Sequence, residues 1–490
     1  MSDRNLSGFD DQDEEPTLRQ RVAENPRPAL VWGAGLLVLV ALEFGAVVHF
    51  GFELVHTVLD SLPGEPGAAI ALRGIEAAAD IPTLLSRELI PNEGYWNGTE
   101  WVDTFMGLSP KHSWLLRASL VYVYAAVFLW WLWRGYDTFR THYRRADWTP
   151  RDDQVDRMRR HRWGQFGLVA VLVFLVMAMF APTLGPTTLD KNIENPYSNE
   201  ITYWDEQTEQ VQEVVVGVAN VGSGSQGTAT RNVGPWTYDD FGRFHPFGTL
   251  TTGKDLFTFL VYGSRISLFI GLATMVTAAL VAAALALGTA YYKGLADLLV
   301  VVTSDSFQAL PVLMVVILMA YLFAGTWIAS LYNGAILLVV VFALVYWPYL
   351  WRAVRGPSLQ VSEQEWVDAA KSFGQRPRVI MEKHMAPYIV GYLFVYGSMS
   401  LGGVIVGVAG LSFLGLGITP PTPEWGRAIN AGQPYVASAS WHISLIPGIL
   451  ITIVVTGFNA LGDGIRDAID PQSEGGEGET EVVAAGSGGA

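Results

Sequence analysis

The chain has 490 residues, half of them hydrophobic, and its formal net charge is −15. It contains no cysteine, which excludes disulfides, thiolate nucleophiles and cysteine metal sites. The negative charge argues against a nucleic-acid partner, because nucleic-acid binding needs a basic surface. Arginine far outnumbers lysine and the polar segments are acidic. This composition is typical of proteins from salt-loving organisms, and we expect a halophilic archaeal source.

Eight apolar stretches are each about 20 residues long, the length that a helix needs to cross the hydrocarbon core of a bilayer. In chain order they are 29–50, 113–133, 164–183, 266–290, 302–324, 333–350, 388–411 and 442–461. The first stretch is too long for a cleavable signal peptide, so we expect it to remain as a helix. The pattern predicts an all-α, polytopic membrane protein.

The distribution of arginine predicts the orientation, because basic residues near the ends of spans mark the cytoplasmic side. Residues 134–163 carry nine arginines and the loop 352–387 is also basic, which favours a cytoplasmic position for both. Residues 51–112 and 184–262 are rich in acids and are expected outside. With eight spans, both termini of this multi-pass cell-membrane protein are then cytoplasmic, and the lipid bilayer surrounds the spans.

Both ends of the chain have the composition of solvated tails. Residues 1–28 form an acidic N-terminal segment, and residues 472–490 are rich in Gly, Glu and Ala. Neither segment can bury enough apolar surface to offset the entropy of ordering. We therefore predict two disordered, acidic, cytoplasmic tails.

The spans fall into two groups. Residues 29–150 form an extension of two spans separated by an outer loop, and residues 151–471 hold the six other spans. The second group includes an outer insertion, 184–262, in which apolar and polar residues partly alternate between Val211 and Val216. This run predicts a short strand within a small strand-and-turn insertion.

The loop between the sixth and seventh spans is charged and helix-forming. Its sequence over 365–387 is EWVDAAKSFGQRPRVIMEKHMAP. Residues 363–373 lack Gly and Pro, and the apolar residues Val367, Ala370 and Phe373 repeat at helical spacing. This spacing predicts a helix with one apolar stripe.

A glycine and a proline predict a turn after that helix. Gly374 is a natural C-terminal cap, and Pro377 can open a second short helix. Small side chains at Ala369 and Ala370 would let another protein approach closely, so the loop could fit a groove on a soluble partner. The alternative is an amphipathic loop lying on the membrane surface, and the pattern alone leaves both open.

The order of residues in this loop resembles the "EAA" loop of ABC-importer permeases, the cytoplasmic elbow that docks into an ATPase. The resemblance implies a role in ATPase coupling for Glu365, Asp368, Ala369, Ala370, Gly374 and Pro387. Asp368 stands where the family usually has Glu, which shortens the side chain by one methylene and keeps the charge.

Three further stretches extend the resemblance to dipeptide/oligopeptide importer permeases. They are HPFGTLTTGKDLFTFLVYGSRIS (245–267), LSFLGLGITPPTPEWG (411–426) and FNALGDGIRDAIDPQ (458–472). With the loop, they cover about residues 163–472 in the order found in the second permease subunit of those importers. Lys254 departs from the arginine that is usual in the family.

This resemblance implies a six-span permease (type I) core over 151–471, with 352–387 as its coupling loop. The implied partners are a second homologous permease subunit, two ATP-binding subunits and an extracytoplasmic solute-binding protein. The implied solutes are dipeptides or oligopeptides, with nickel chelates and oligosaccharides as alternatives that the sequence leaves open. The two-span extension falls outside the family pattern, and we expect it to pack on the periphery of the core.

The sequence offers no sign of covalent chemistry. It has no Walker A motif and no catalytic constellation, so we expect a transport subunit that binds no ATP, cofactor or metal and is not an enzyme. His245, His384 and His442 lack the spacing of metal ligands. An ion-coupled secondary transporter is the alternative, but it would need intramembrane carboxylates or broken helices, and the core spans offer only Asp305.

Two more residues carry weaker signals. Glu43 lies within the first apolar stretch, where an ionisable group suggests function, although its side chain could also reach the lipid headgroups. Asn97 begins an Asn-Gly-Thr glycosylation sequon on the predicted outer side.

Overall fold

The computed structural model describes residues 16–46, 48, 52, 83, 85–146, 148–228 and 230–469, and these residues are mostly helical. The α-helices are α1 (Leu18–Glu24), α2 (Pro26–Leu42), α3 (Pro110–His142), α4 (Pro150–Arg160), α5 (Arg162–Met179), α6 (Ala181–Leu184), α7 (Val216–Gly222), α8 (Leu256–Tyr292), α9 (Gly294–Ala309), α10 (Val312–Phe323), α11 (Trp327–Ser330), α12 (Ala335–Ser362), α13 (Glu365–Ser372), α14 (Pro377–Ile380), α15 (Ala386–Phe413), α16 (Trp425–Gly432) and α17 (His442–Ile469). Short 3₁₀ or π turns occur at Phe105–Gly107, Asp190–Glu194, Leu331–Gly334, Met381–Met385 and Gln433–Tyr435.

Three short antiparallel hairpins lie together at one end of the helices, here called the hairpin end. They pair β1 (Tyr95–Trp96) with β2 (Trp101–Val102), β3 (Glu200–Asp205) with β4 (Gln210–Val215), and β5 (Thr237–Tyr238) with β6 (Phe244–His245). The strand predicted around Val211 is confirmed by β4. The strand is followed directly by helix α7 and not by a turn. The opposite end, which carries α13 and α14, is the loop end.

Six helical segments are long and apolar enough to cross a bilayer among the described residues, and the number rises to eight if each of two bent pairs is one span. The six are Pro110–His142, Arg162–Met179, Leu256–Tyr292, Leu331–Ser362, Pro377–Phe413 and His442–Ile469. They include the predicted stretches 113–133, 266–290, 333–350, 388–411 and 442–461, and most of 164–183. The all-α, polytopic membrane fold is therefore confirmed.

The predicted span 302–324 is not one straight helix. It is split between α9 and α10, which meet at 91°. Pro311 has no backbone N–H to donate, and Leu310 before it is extended, with φ −81 and ψ 141. The two helices together are still long and apolar enough to form one broken span, so the structure corrects the expectation of a continuous helix and not the presence of a span. Hydropathy alone did not reveal the break that Pro311 imposes.

The extension also differs from its prediction near the N-terminus. Residues 18–24 belong to α1 and residues 26–28 to α2, so the disordered tail predicted over 1–28 is wrong for this part. α1 and α2 meet at 97°, and α2 ends at Leu42. Glu43 is buried, and its Oε1 accepts a hydrogen bond from the N–H of Leu85 at 3.1 Å, so this carboxyl has a partner within the protein. Residues 1–15, most of 47–84 and the predicted tail 472–490 lie outside the described residues.

The centre of the bundle is the contact between α8 and α12. Ala278, Ala282 and Ala286 recur every fourth residue along α8 and are fully buried. They pack in one cluster with Trp347 and Trp351 of α12. Small residues on one helix let the large aromatic side chains of the other approach its backbone, which is how helices associate where lipid removes the hydrophobic drive.

Glycines let α5 and α17 approach even more closely. A Cβ added at Gly167 would lie 2.2 Å from the backbone nitrogen of Leu461 and 2.6 Å from the carbonyl oxygen of Gly457. A Cβ at Gly164 would lie 3.0 Å from Cα of Gly464. The two helices therefore touch backbone to backbone, and any side chain at Gly167 would push them apart.

We predict that Gly167→Ala destabilises the folded protein by about 1–3 kcal/mol, because the added methyl meets backbone atoms that cannot move aside. Gly288→Ala is the matched control, since nothing lies within 4 Å of a Cβ at that position in α8. Thermal unfolding of both purified variants in detergent measures the difference. Equal melting temperatures for the two variants would contradict the proposed close contact.

The extension is attached to the core by a buried arginine. Arg117 of α3 has 0% exposure. Its guanidinium donates to the carbonyl oxygens of Thr183 at 2.8 Å, Gly185 at 3.1 Å and Ile90 at 2.8 Å. Carbonyls at and after the end of α6 have no helical partners and carry partial negative charge, which a cation offsets.

Two more side chains reinforce this attachment. The indole nitrogen of Trp114 donates to the carbonyl of Leu184 at 2.7 Å, and Arg87 donates to the carbonyls of Pro182 at 2.7 Å and Pro186 at 3.1 Å. The extension therefore supplies the donors for the segment that follows the first core helix. A peripheral position is compatible with this packing, but the contact is buried and polar.

We predict that Arg117→Met lowers the free energy of unfolding by roughly 2–5 kcal/mol, because buried carbonyl oxygens lose their donors. Arg134→Met on the same helix is the control, since Arg134 is exposed and lies 3.6 Å from Asp137 one turn away. Thermal unfolding and membrane yield would be measured for both. A loss for Arg134→Met as large as that for Arg117→Met would show that the buried contact is not what stabilises the structure.

Candidate functional site

The loop that sequence analysis singled out runs from Glu363 to Met385 at the loop end. α12 continues to Ser362, so the loop begins eleven residues later than the predicted boundary at 352. α13 ends in a Schellman motif, in which the N–H of Gln375 donates to the carbonyl of Ala370 at 3.2 Å and the N–H of Gly374 to that of Lys371 at 2.9 Å.

Glycine is required at the centre of this turn. Gly374 has φ +74, a conformation that L side chains rarely adopt. Pro377 then occupies the first turn of α14, where its missing N–H leaves no helical bond unmade. The predicted cap and the predicted second helix are both found, so local sequence accounts for the shape of the loop.

One face of the loop is buried against the end of α8. Val367, Ala370, Ile380 and Met385 are buried and pack with Ala290. The predicted stripe is thus correct for Val367 and Ala370. It is wrong for Phe373, whose side chain is 86% exposed, because the chain leaves the helical path at this residue as it enters the turn.

The candidate coupling residues separate into two groups. Ala370 is buried in this chain, where it packs with Val367 and Ala290. The other candidates are exposed, and they are Glu365, Asp368, Ala369, Gly374 and Pro387. Asp368 forms an ion pair with Lys371 at 3.0 Å, and Arg378 forms one with Glu382 at 2.6 Å. The exposed face of the loop is therefore a charged rim around small residues and Phe373.

Ion pairs tie α12 and the start of the loop to the segment of chain that follows α8. Lys293 lies 3.1 Å from Glu363, and the Nε of Arg355 donates to Asp297 at 2.8 Å. Arg352 also pairs with Asp305. Sequence analysis did not identify these pairs, although opposite charges in segments some 50–70 residues apart were a visible signal.

A second group of charged residues is buried at the hairpin end, just before α8. The two ring nitrogens of His245 lie within hydrogen-bond distance of carboxylate oxygens, of Asp255 at 2.8 Å and of Asp239 at 3.3 Å, and Asp239 also pairs with Arg243 at 2.7 Å. Burial alone would lower the pKa of His245, but its hydrogen bonds and the two carboxylates outweigh burial and raise that pKa. The side chain of Asp255 also accepts from the N–H of Thr258, so this group fixes the start of α8.

Glu424 is buried in the turn before α16. Its Oε2 accepts from the N–H of Arg427 at 3.2 Å, and the neighbouring Trp425 donates from its indole to the carbonyl of Leu260 in α8 at 2.7 Å. Burial raises the pKa of the Glu424 carboxyl to about 7, outweighing its backbone hydrogen bonds. Sequence analysis did not identify Glu424 as special, although an acid beside tryptophan in an apolar loop was a signal.

Among the described residues, no cluster of three or more His, Asp or Glu side chains has an arrangement that could hold a metal ion. The Nε2 of His384 donates to the side-chain oxygen of Gln375 at 3.0 Å, and the Nε2 of His442 donates to the carbonyl of Thr249 at 3.1 Å. Each histidine that was weighed as a metal ligand thus has a local structural partner.

We predict that Glu424 makes the protein less stable as pH rises from about 5 to 8. A carboxyl with a pKa near 7 when folded and near 4.5 when unfolded holds more protons in the folded state between these values, so stability is lost as it ionises. The free energy of unfolding should therefore fall over this pH range by roughly 3 kcal/mol less in Glu424→Gln than in the unaltered chain. Thermal unfolding at several pH values measures it.

Glu88→Gln, at an exposed position, is the control for that series. His245 contributes a further loss of stability at higher pH in all of these variants, since its pKa is raised. Parallel pH profiles for Glu424→Gln and the unaltered chain would contradict the prediction.

Comparisons with known proteins show which family the chain resembles. Residues 269–474 match the family described as binding-protein-dependent transport system inner membrane component, and residues 149–200 match the N-terminal transmembrane domain of oligopeptide transport permease C. The dipeptide transport system permease protein DppC of Alkalihalophilus pseudofirmus is 29% identical over 324 residues, which cover 66% of this chain and 90% of that protein.

Two glutathione transport system permease proteins, both named GsiD, are also similar. The protein of Pectobacterium atrosepticum is 33% identical over 228 residues, covering 46% of this chain and 73% of the relative. That of Escherichia coli O6:K15:H31 is 35% identical over 232 residues, covering 47% of this chain and 73% of the relative. The chain therefore belongs to the inner-membrane permease family of binding-protein-dependent ABC importers.

Proposed function

We propose that this permease receives the motion of an ATP-hydrolysing subunit through the loop 363–385, and that the machine imports peptides or similar small solutes. The observation that carries the proposal is the exposed Phe373 at a turn whose geometry is fixed by Gly374. The loop itself does no chemistry. It converts a push from the partner into movement of the helices on either side of it.

The way in which the loop is attached supports mechanical coupling. α13 follows α12 after two residues, and the turn Met381–Met385 runs directly into α15. The buried face of the loop packs on the end of α8. A force on the loop therefore reaches α8, α12 and α15, and packed helices respond by rigid-body movement, because close-packed interfaces do not deform continuously.

Phe373 supports a protein partner over a membrane-surface position. An exposed phenylalanine with exposed cations near it in the sequence, at Lys371, Arg376 and Arg378, matches the usual anatomy of a protein interface, in which one aromatic anchor fills a pocket and charges form the rim. Ala369 and Gly374 beside it leave room for a partner's backbone.

The proposed assembly contains a second homologous permease subunit, two ATP-binding subunits and an extracytoplasmic solute-binding protein. The loop end then faces the cytoplasm with both termini, in agreement with the arginine-rich segment 134–163. This orientation and the halophilic archaeal source stay predictions. The acidic composition supports the second.

A peptide-type solute is supported by the relatives, whose printed names specify dipeptide and glutathione transport. Glutathione is itself a small peptide, so the two names share one solute class. Nickel chelates and oligosaccharides are the alternatives. Uptake of labelled peptides by the assembled importer, with chelated nickel and oligosaccharides as competitors, would distinguish them.

The ion-coupled alternative has one feature in its favour, the break between α9 and α10. Leu310 and Pro311 at this break are not ionisable, and Asp305 in α9 is exposed and paired with Arg352. A coupling ion would need oxygen ligands at such a break. The alternative is therefore the less supported of the two.

We predict that Phe373→Ala weakens binding of the ATPase subunit by about 30-fold, the equivalent of a 2 kcal/mol interface anchor. Gly374→Val should have a similar effect, because a β-branched side chain disfavours φ +74 and the turn would reshape. Copurification with the ATPase, ATP hydrolysis and solute uptake in proteoliposomes would be measured together.

Phe139→Ala is the control, because Phe139 is also a partly exposed phenylalanine but lies near the C-terminus of α3, outside the loop. It should leave copurification and uptake unchanged. Full ATPase binding and uptake by the Phe373→Ala and Gly374→Val variants would show that this loop is not the coupling surface.

A further inference from the structure

The hairpin β1–β2 of the extension ends in an exposed turn. The N–H of Asn97 donates to the carbonyl of Glu100 at 3.0 Å, which closes the turn, and Gly98 has φ +95. Gly98, Thr99 and Glu100 are all exposed. The turn thus displays Asn97-Gly98-Thr99, a sequence that fits the Asn-x-Ser/Thr rule for N-linked glycosylation.

The oxygen and the nitrogen of the Asn97 side chain have different surroundings. Its Oδ1 accepts hydrogen bonds from the N–H of Thr99 at 2.9 Å, the hydroxyl of Thr99 at 2.9 Å and the N–H of Glu100 at 2.8 Å. Its Nδ2 makes no hydrogen bond to any residue in the described part of the chain. Three donors on the oxygen withdraw electron density from the amide, so the free nitrogen loses a proton more readily.

We propose that Asn97 is the acceptor of an N-linked glycan on the extracytoplasmic face. A membrane oligosaccharyltransferase would supply the glycan from a polyprenyl diphosphate carrier. Nδ2 forms a bond to the anomeric carbon, the bond from that carbon to the diphosphate oxygen breaks, and the electron pair leaves with the lipid diphosphate. The amide gives up one proton to the transferase.

The surroundings of the turn keep this acceptor in place. Trp101 stacks on Tyr238 of the core insertion with ring centroids 6.0 Å apart, and it meets Trp96 edge-on at 5.7 Å. The ring of Trp204 supports the other side of Gly98. The hairpin is therefore anchored by aromatic contacts at its base, while Asn97 is half-buried and Gly98 and Thr99 are exposed.

A second sequon in the same chain provides an internal control for modification of Asn97. This sequon, Asn5-Leu6-Ser7, lies in the N-terminal segment, outside the described residues and on the predicted cytoplasmic side. Oligosaccharyltransferases act on one face of a membrane only. The predicted topology therefore makes Asn97 available to the transferase and keeps Asn5 out of its reach, in the same molecules.

The experiment uses the full chain, expressed in a host with an N-oligosaccharyltransferase, together with a separate reporter protein that carries an occupied sequon. Peptide mass spectrometry reads Asn97 and Asn5, before and after an amidase that releases N-glycans. Most molecules should carry one glycan at Asn97 and none at Asn5. Amidase treatment should remove the glycan and leave an aspartate at position 97.

Three variants sharpen the test. Asn97→Asp keeps a side-chain oxygen for the same hydrogen bonds but removes the reacting nitrogen, and should abolish the modification without disturbing the turn. Thr99→Val removes the hydroxyl and should reduce occupancy at least tenfold. Thr99→Ser keeps the hydroxyl and should remain modified.

Three results would overturn the proposal. The first is an unmodified Asn97 in the unaltered chain while the reporter is occupied. The second is a glycan mass that persists in Asn97→Asp. The third is a glycan on Asn5 instead, which would also reverse the predicted topology. None of these results depends on the coupling role proposed for the loop 363–385.

Discussion

The close contact between α8 and α12 holds the hairpin end and the loop end in a fixed position relative to each other. It depends on an alanine every fourth residue, Ala278, Ala282 and Ala286, against two tryptophans of α12. In a bilayer the gain from such a contact comes mainly from close packing, since lipid is as apolar as the side chains. The hairpin end of the core and the loop end are both anchored to α8.

The hairpin end is anchored at the start of that helix. Asp255 caps α8 and binds His245, while Trp425 beside Glu424 donates to the carbonyl of Leu260. The loop end is anchored at the other terminus, where Ala290 packs with Val367 and Ile380. A rigid helix joined to both ends is what a permease needs if a push at one face is to alter access at the other.

The extension fits into this scheme as a structural partner of the core. Arg117 and Trp114 bind the carbonyls that follow the first core helix, and Trp101 stacks on Tyr238 of the core insertion. These contacts join the extension to the hairpin end, the face where we place the glycan. Removal of the extension would expose unpaired carbonyl oxygens, so its effect on assembly should exceed any effect on solute choice.

The sequence by itself determined the features that depend on neighbouring residues. Apolar length gave the membrane helices. Gly374 and Pro377 gave the turn and second helix of the loop, because a left-handed residue and a missing N–H act within a few residues. The order of motifs predicted the permease family that the comparisons then supported.

Tertiary structure decided what depends on distant residues. In the sequence, Arg117 is an unexplained charge at the start of an apolar span. In the structure it donates to the carbonyls of Ile90 and Thr183, which lie 27 and 66 residues away in the chain. Phe373 and Ala370 share one helical stripe in the sequence. Only the packing of α13 against α8 buries one and leaves the other exposed, because helical periodicity states which residues share a face but not where the next helix ends.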